Sequence, residues 1–263
     1  MATVPPAPGI HDAPNPHPRR RARTRAARAG THPALVAGAG VLVVASYGLL
    51  LLGRDALFPL IDEDGWVESV GALALATAAA LFLAAGIGVR PPAGSWPPMA
   101  RVSLVALAAL FAVGAGEEIS WGQRQLGLDA PRALVEANAQ GESNLHNLAA
   151  INGSVDDLFA AFILLFSIVL PLSAARWPSV RARARRVVPV FPMWVALLFL
   201  VNEAAFRVVW WGMPHGWYDG LHPFSQSAHE IRETVASVLF ALAALVVHPP
   251  GRRRASGRGS TTE

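Results

Sequence analysis

Six stretches of predominantly apolar residues punctuate the chain, near Pro33 to Leu52, Ser69 to Val89, Val102 to Gly116, Leu158 to Ala175, Val187 to Trp211 and Thr234 to His248. A helix of about twenty residues, rising about 1.5 Å per residue, matches the hydrocarbon thickness of a bilayer. The third stretch reaches that length only if its helix continues through Glu117 and Glu118. In lipid every backbone N–H and C=O must be satisfied within the chain, so such runs are read as helices rather than open strands. The pattern predicts an all-α, polytopic membrane bundle of about six transmembrane helices over residues 33–248, with an outer polar loop at 117–153. Residues 1–32 and 249–263 are rich in Arg and Pro or Gly and bury no core; they are expected to be disordered basic tails. A cleaved signal peptide is the competing reading of the first apolar run. The run is long enough to span, however, and no small-x-small cleavage site leads into a soluble domain.

The polar residues between these stretches alternate in sign. Of 22 basic residues, all arginine, 17 lie in four segments: Arg19 to Arg28, Arg90 with Arg101, Arg176 to Arg186, and Arg252 to Arg258. With six spans all four segments fall on one side, and the arginine-rich side is cytoplasmic. Of 18 acidic residues only Asp12 and Glu263 share that side. Both termini are therefore expected in the cytoplasm of a plasma-membrane protein. Trp66, Trp121, Trp210, Trp211 and Trp217 cluster near the outer boundary, where amphipathic rings settle.

Composition narrows the chemistry. With 53% hydrophobic and 15% charged residues the chain is too apolar for an ordinary soluble domain. A pI near 10.8 would suit nucleic-acid binding, but arginines placed beside apolar runs fit membrane orientation and no nucleic-acid partner is expected. The absence of cysteine excludes disulfides, thiolate metal sites and cysteine nucleophiles. Any metal must take nitrogen and oxygen ligands.

Two segments stand out on the acidic side. Gly116-Glu117-Glu118-Ile119-Ser120-Trp121-Gly122-Gln123-Arg124 continues the third run. A helix persisting through it would align Glu117, Ser120, Trp121 and Arg124 on one face. Carboxylates at the mouth of a span require water, a partner or a cation, which makes them functional candidates; a helix end that has simply reached water is the alternative. Downstream, Asn138, Gln140, Glu142, Asn144 and His146 recur at every second position, the period of an extended segment with one polar face. Such a segment is expected to line a polar cavity, a hydrated loop being the alternative.

Further groups lie on the same side. Asp62, Glu63, Asp64 and Glu68 flank the start of the second span. Glu203 and Arg207, at i and i+4 in the fifth, predict a structural ion pair. His229, Glu230 and Glu233 open the sixth, where spacings of three and four residues allow a shared metal but also suit a helix N-terminus. His215 and His222 sit in a loop rich in Trp, Gly and Pro.

The Gly116 to Asn147 block is similar to one in uncharacterised bacterial polytopic membrane proteins, a resemblance that implies a bundle and no particular activity. Glu117-Glu118 resembles the Glu-Glu-x-x-x-Arg motif of CAAX-type intramembrane proteases, in which glutamate and histidine activate water; here five residues separate Glu118 from Arg124. His146 with Asp156 and Asp157 resembles alkaline ceramidase-like hydrolases, seven-helix proteins with a zinc on three histidines, although the terminal His-x-x-x-His pair is missing.

Together these readings predict a membrane enzyme acting on a lipid or lipid-linked substrate from the outer leaflet, by hydrolysis. Glu117 or Glu118 is expected as general base and His146 as proton shuttle or ligand. Arg124 anchors an anionic head group beside Trp121, Asn144 and Gln140. Glu118, Glu142, His146, Glu230 and Glu233 are the candidate ligands of a divalent zinc, iron or manganese ion. The alternatives are an acid-catalysed isoprenoid cyclase and a non-enzymatic lipid- or partner-binding subunit.

Overall fold

The computed structural model describes residues 33–52, 54–61, 65–89, 96–129, 131–138, 144–145, 148, 152–212 and 223–247. The chain divides into two units, Met1–Gly38 and Ala39–Glu263. Of the first, the described residues 33–38 are the opening turns of helix α1 (Pro33–Gly48), which ends in a 3₁₀ turn, Leu49–Leu52. Then come α2 (Arg54–Ile61), α3 (Trp66–Ile87), α4 (Pro98–Glu118), a 3₁₀ turn Ser120–Gly122, α5 (Gln123–Leu126) and α6 (Arg132–Ala137). After these follow α7 (Asn152–Phe162), a π-helical stretch Ile163–Val169, α8 (Leu170–Arg176), α9 (Pro178–Ala184), α10 (Met193–Gly212) and α11 (Pro223–Val246). No strand occurs among the described residues; the one extended pairing is an isolated bridge between Asn138 and Leu148.

Five of these runs are long and apolar enough to cross a membrane: Pro33–Leu52, Asp55–Ile87, Pro98–Glu118, Asp157–Arg176 and Met193–Gly212. Residues 234–246 of the expected sixth span form the second half of α11, which is not among these five runs and whose first half carries His229, Glu230, Arg232 and Glu233; His248 lies outside the described residues. The third run does extend through Glu117 and Glu118. The fifth begins later than expected, because residues 188–192, with Pro189 and Pro192 among them, are not helical.

Local chemistry explains several boundaries. Pro98 occupies the first turn of α4, where its missing N–H costs nothing. Helix α3 ends on Gly88 at φ 85°, a left-handed conformation that a β-carbon would oppose. The π stretch lies just before Pro171, which lacks the N–H that the Ser167 carbonyl would take in an α-helix; the Leu170 N–H bonds back to Leu165 in the wider register.

Helix α3 is central, packed along α4 and against α11, with α10 on the other side of α11. Buried alanines at 72, 78, 79 and 85 on α3 and at 100, 108 and 115 on α4 let these helices approach. At the seam a β-carbon on Gly86 would stand 2.9 Å from Val105 Cγ2 and 3.2 Å from the Arg101 carbonyl oxygen. Deeper in, Phe240 of α11 lies with its ring centroid 4.7 Å from Phe111, 4.8 Å from Phe199 and 5.7 Å from Phe162, joining α4, α10 and α7.

Charge is segregated along the bundle. At one end Arg101 Nε donates to the Gly86 carbonyl at 2.8 Å and Arg181 Nε to the Ala174 carbonyl at 2.9 Å, so guanidinium groups meet the C-terminal ends of α3 and α8. Ser103 Oγ bonds to the Val187 carbonyl at 2.6 Å and brings the arginine-rich turn to the same end. The opposite end gathers the start of α3, the end of α4 and the first half of α11, where Glu68, Glu117, Glu118, Glu230 and Glu233 lie.

Removing the Phe240 ring leaves a void between three helices. Phe240→Ala is expected to lower stability by about 3 kcal/mol, because the dispersion contacts of a buried ring with three neighbouring helices are lost. Thermal unfolding in detergent measures it. Leu73→Ala, at a position 70% exposed on α3, is the comparison and should shift stability by less than about 0.5 kcal/mol.

Candidate functional site

The acidic end is built around the break at the end of α4. The helix does not persist through Ile119: Ser120 and Trp121 adopt φ 45° and 56°, followed by Gly122 at 76°. Left-handed geometry at two non-glycine residues costs on the order of 1–3 kcal/mol each and is kept only where surrounding contacts hold it. Those contacts are on hand. Trp121 folds back so that its indole Nε1 donates to Glu117 Oε1 at 2.6 Å. Its ring lies against Gly116, where a β-carbon would meet ring atoms at 2.9 Å. The helical face expected for Glu117, Ser120, Trp121 and Arg124 is therefore replaced by a tight left-handed turn.

That turn clamps the downstream loop. The Leu145 N–H donates to the second oxygen of Glu117. Asn144 Nδ2 donates to Ser120 Oγ at 3.2 Å, and Asn138 Nδ2 donates to both the carbonyl and the side-chain oxygen of Asn144, at 2.8 and 2.7 Å. Asn138 is extended, at φ −94° and ψ 134°, as the alternation of polar residues predicts. Asn138 and Asn144 do converge, but as buried amides bonded to each other and to the turn. Gln140, Glu142 and His146, and the side chain of Arg124, lie outside the described residues.

The adjacent glutamates thus separate. Glu117 is buried and holds the turn and the loop. Glu118, half-buried on the next position of α4, faces other acids: its electrostatic neighbours, strongest first, are Glu233 and Glu230 of α11 and Glu68 of α3. Three helices bring four carboxylates to one place. Such a group is stable at the mouth of an apolar bundle only with protons, water or a cation among its members. Among the described residues no three His, Asp or Glu side chains adopt a metal-binding arrangement. Asp62, Glu63, Asp64, His215 and His222 lie outside them.

Next to the acids is an apolar cavity of about 270 Å³, lined by Leu42, Leu49, Trp66, Val70, Thr234 and Val238 among others. Thr234 joins the two. Its hydroxyl donates to the Val67 carbonyl at 2.9 Å. On the other side, a β-carbon on Gly71 would come within 3.2 Å of that hydroxyl oxygen and 3.9 Å of Glu118 Oε2. Glycine at 71 leaves room for both.

A second polar network, not legible as a motif, lies on the other face of α11. Tyr47 of α1 donates its hydroxyl to the Asn202 side-chain oxygen at 3.0 Å, and Asn202 Nδ2 donates to the Arg232 carbonyl at 3.0 Å. Glu203 pairs with Arg232 at 2.9 Å instead of with Arg207 as its spacing predicted; Arg207 lies over the Phe206 ring at 5.6 Å. His229 packs its ring edge against Phe206 and Trp210, with centroids 4.8 and 5.0 Å apart. Tyr47, Asn202 and Arg232 were missed because no nearby residue in the sequence pairs with any of them.

The division of labour between the glutamates is testable by stability. Glu117→Ala leaves Trp121 Nε1 and the Leu145 N–H without their acceptor. It should cost about 3 kcal/mol, from two bonds to a charged acceptor, and speed proteolytic cleavage between residues 138 and 148. Glu118→Gln should leave both the melting temperature and the cleavage rate unchanged or improved, since it removes a repelled charge. Comparison of the chain with protein-family models, with curated proteins and with solved structures yields no match, and the chemistry of this end follows from its own side chains.

Proposed function

We propose that the chain is a six-helix plasma-membrane protein with both termini in the cytoplasm, and that its acidic end is an extracytoplasmic site hydrolysing a lipid or lipid-linked substrate. The observation that carries this reading is the juxtaposition of Glu118, with Glu68, Glu230 and Glu233, to a 270 Å³ apolar cavity across a single threonine. A cavity of that lining suits a hydrocarbon chain, and the carboxylates suit the polar bond at its end. Glu118 acts as general base towards water, His146 as proton shuttle or ligand, and Glu117 keeps the loop bearing His146 in place. If a divalent cation takes part, Glu118, Glu230 and Glu233 are its carboxylate donors, with Glu142 and His146 from the loop.

One observation favours a second reading, protonation-driven cyclisation of an isoprenoid. The acids border a hydrocarbon-lined space whose wall includes Trp66, and an indole face stabilises a developing carbocation. The two differ in their products: hydrolysis cleaves the substrate in two and places solvent oxygen on the fragment that held the attacked carbonyl or phosphoryl centre, whereas cyclisation isomerises the chain.

Activity is measured with the protein in nanodiscs containing radiolabelled membrane lipids, in water enriched in oxygen-18. Glu118→Gln should lower the rate by about 10²-fold or more, with oxygen-18 in the wild-type product. A rate in Glu118→Gln equal to wild type would falsify the assignment of the base. Elemental analysis of wild type, Glu118→Gln and His146→Ala decides the metal: a stoichiometric ion lost in both variants supports the metal-assisted form.

Orientation has its own test. Because the chain has no cysteine, single cysteines replacing Ser143 and Ser179 report without background. An impermeant maleimide applied to intact cells should label position 143 and spare 179; labelling of both from outside sinks the six-span arrangement.

A further inference from the structure

Arg232 is a cation held almost completely away from solvent, 3% exposed in the first half of α11. Its Nε donates to Glu203 Oε1, and its guanidinium carbon stands 5.0 Å from the Phe206 ring centre and 5.9 Å from that of Phe159. The pairing is incomplete. A carboxylate facing that edge of a guanidinium commonly takes Nε and Nη2 together; here Nη2 is buried and has no hydrogen-bond acceptor. A buried charged N–H demands an oxygen. A second guanidinium, that of Arg207, lies 5.6 Å from the same Phe206 ring. His229, one turn before Arg232, packs on Phe206 and Trp210 beside this face. Its partner Glu203 is 19% exposed.

We propose that Arg232, with His229 and the rings of Phe159, Phe206 and Trp210, forms a binding site for an oxyanion, the phosphate of an anionic amphiphile. The rings accommodate the first carbons of a chain beside the head group, which free phosphate does not use. The site lies on the face of α11 turned to α10 and α7, away from the side on which Glu230 and Glu233 meet Glu118. That separation matters electrostatically: an anion delivered among four carboxylates is repelled, whereas here it meets a guanidinium edge. The inference stands apart from the hydrolytic reading, because it uses none of the four clustered carboxylates.

The test titrates dodecyl phosphate, and separately inorganic phosphate, into the full-length protein in maltoside micelles while following tryptophan emission, to which Trp210 contributes. Dodecyl phosphate should produce a saturable change. Arg232→Gln should weaken it at least about 10-fold, and Arg232→Lys less, since a lysine keeps the charge but loses the planar fork. Glu203→Gln should tighten binding, because it removes the anion that competes for the same edge; this variant carries the test if Arg232→Gln fails to fold. Glu118→Gln should leave the affinity unchanged, so loss of hydrolysis and loss of this site are distinguishable. Phosphate binding as tightly as dodecyl phosphate assigns the site to a free anion, and weaker phosphate binding assigns it to a lipid head group; either supports an oxyanion site. No saturable change with either probe, equal affinity in wild type and Arg232→Gln, or weaker binding in Glu203→Gln overturns it.

Discussion

The ion pair between Glu203 and Arg232 fixes how the acidic end is assembled. A guanidinium 3% exposed inside a helical bundle has few ways to be satisfied, and removing one partner of such a pair costs about 3–5 kcal/mol because the other is left buried and charged. With Arg232 held towards α10, the rotation of α11 is set. Successive helical residues turn by about 100°, so Glu233 and Glu230 are carried round to the side of α3 and α4, where Glu68 and Glu118 wait. Asn202, bonded to the Arg232 carbonyl and to Tyr47, locks the same rotation from α1. The carboxylate group is thus a consequence of where Arg232 points.

The end of α4 solves a related problem by a different route. Adjacent glutamates at a helix terminus would repel each other in any shared environment. The left-handed turn at Ser120 and Trp121 separates their surroundings: Glu117 accepts hydrogen bonds from Trp121 and Leu145, while Glu118 faces Glu233, Glu230 and Glu68. Gly116 is what permits this, since a side chain there would occupy the space of the indole ring.

How much of this the sequence disclosed follows from the range over which residues interact. Apolar length locates α1, α3 and α4 within a few residues, because the length of an apolar run is a property of each helix alone. The alternation of polar residues correctly makes Asn138 extended, again a local property. Contacts between distant elements were not legible. Glu203 was matched with Arg207 since helical spacing is what a sequence shows, whereas its partner is 29 residues away on another helix. Continuation of α4 through Ser120 and Trp121 failed for a similar reason: neither residue favours positive φ, and the contacts that hold them there come from Gly116, Glu117 and Asn144. The start of α11 was placed eleven residues late because its polar first turns break the apolar run, although they are helical and packed.

That polar start explains why α11 falls outside the helices apolar enough to cross a membrane unaided, and why this is compatible with a place inside the bundle. A helix enters lipid on its own only if its entire surface tolerates hydrocarbon. Helix α11 meets α3, α10 and the start of the chain's second unit on most of its surface, with Ala236, Leu239, Phe240 and Ala243 all fully buried. Its charged groups need neighbours rather than apolar character, and the neighbours supply them: Glu203 for Arg232, and for Thr234 the Val67 carbonyl. An interior helix freed from facing lipid is the one element that can carry ionisable residues on two faces. In this chain those faces differ in sign, carboxylates towards α3 and α4 and a guanidinium towards α10, so a single helix separates a site that repels anions from one that attracts them.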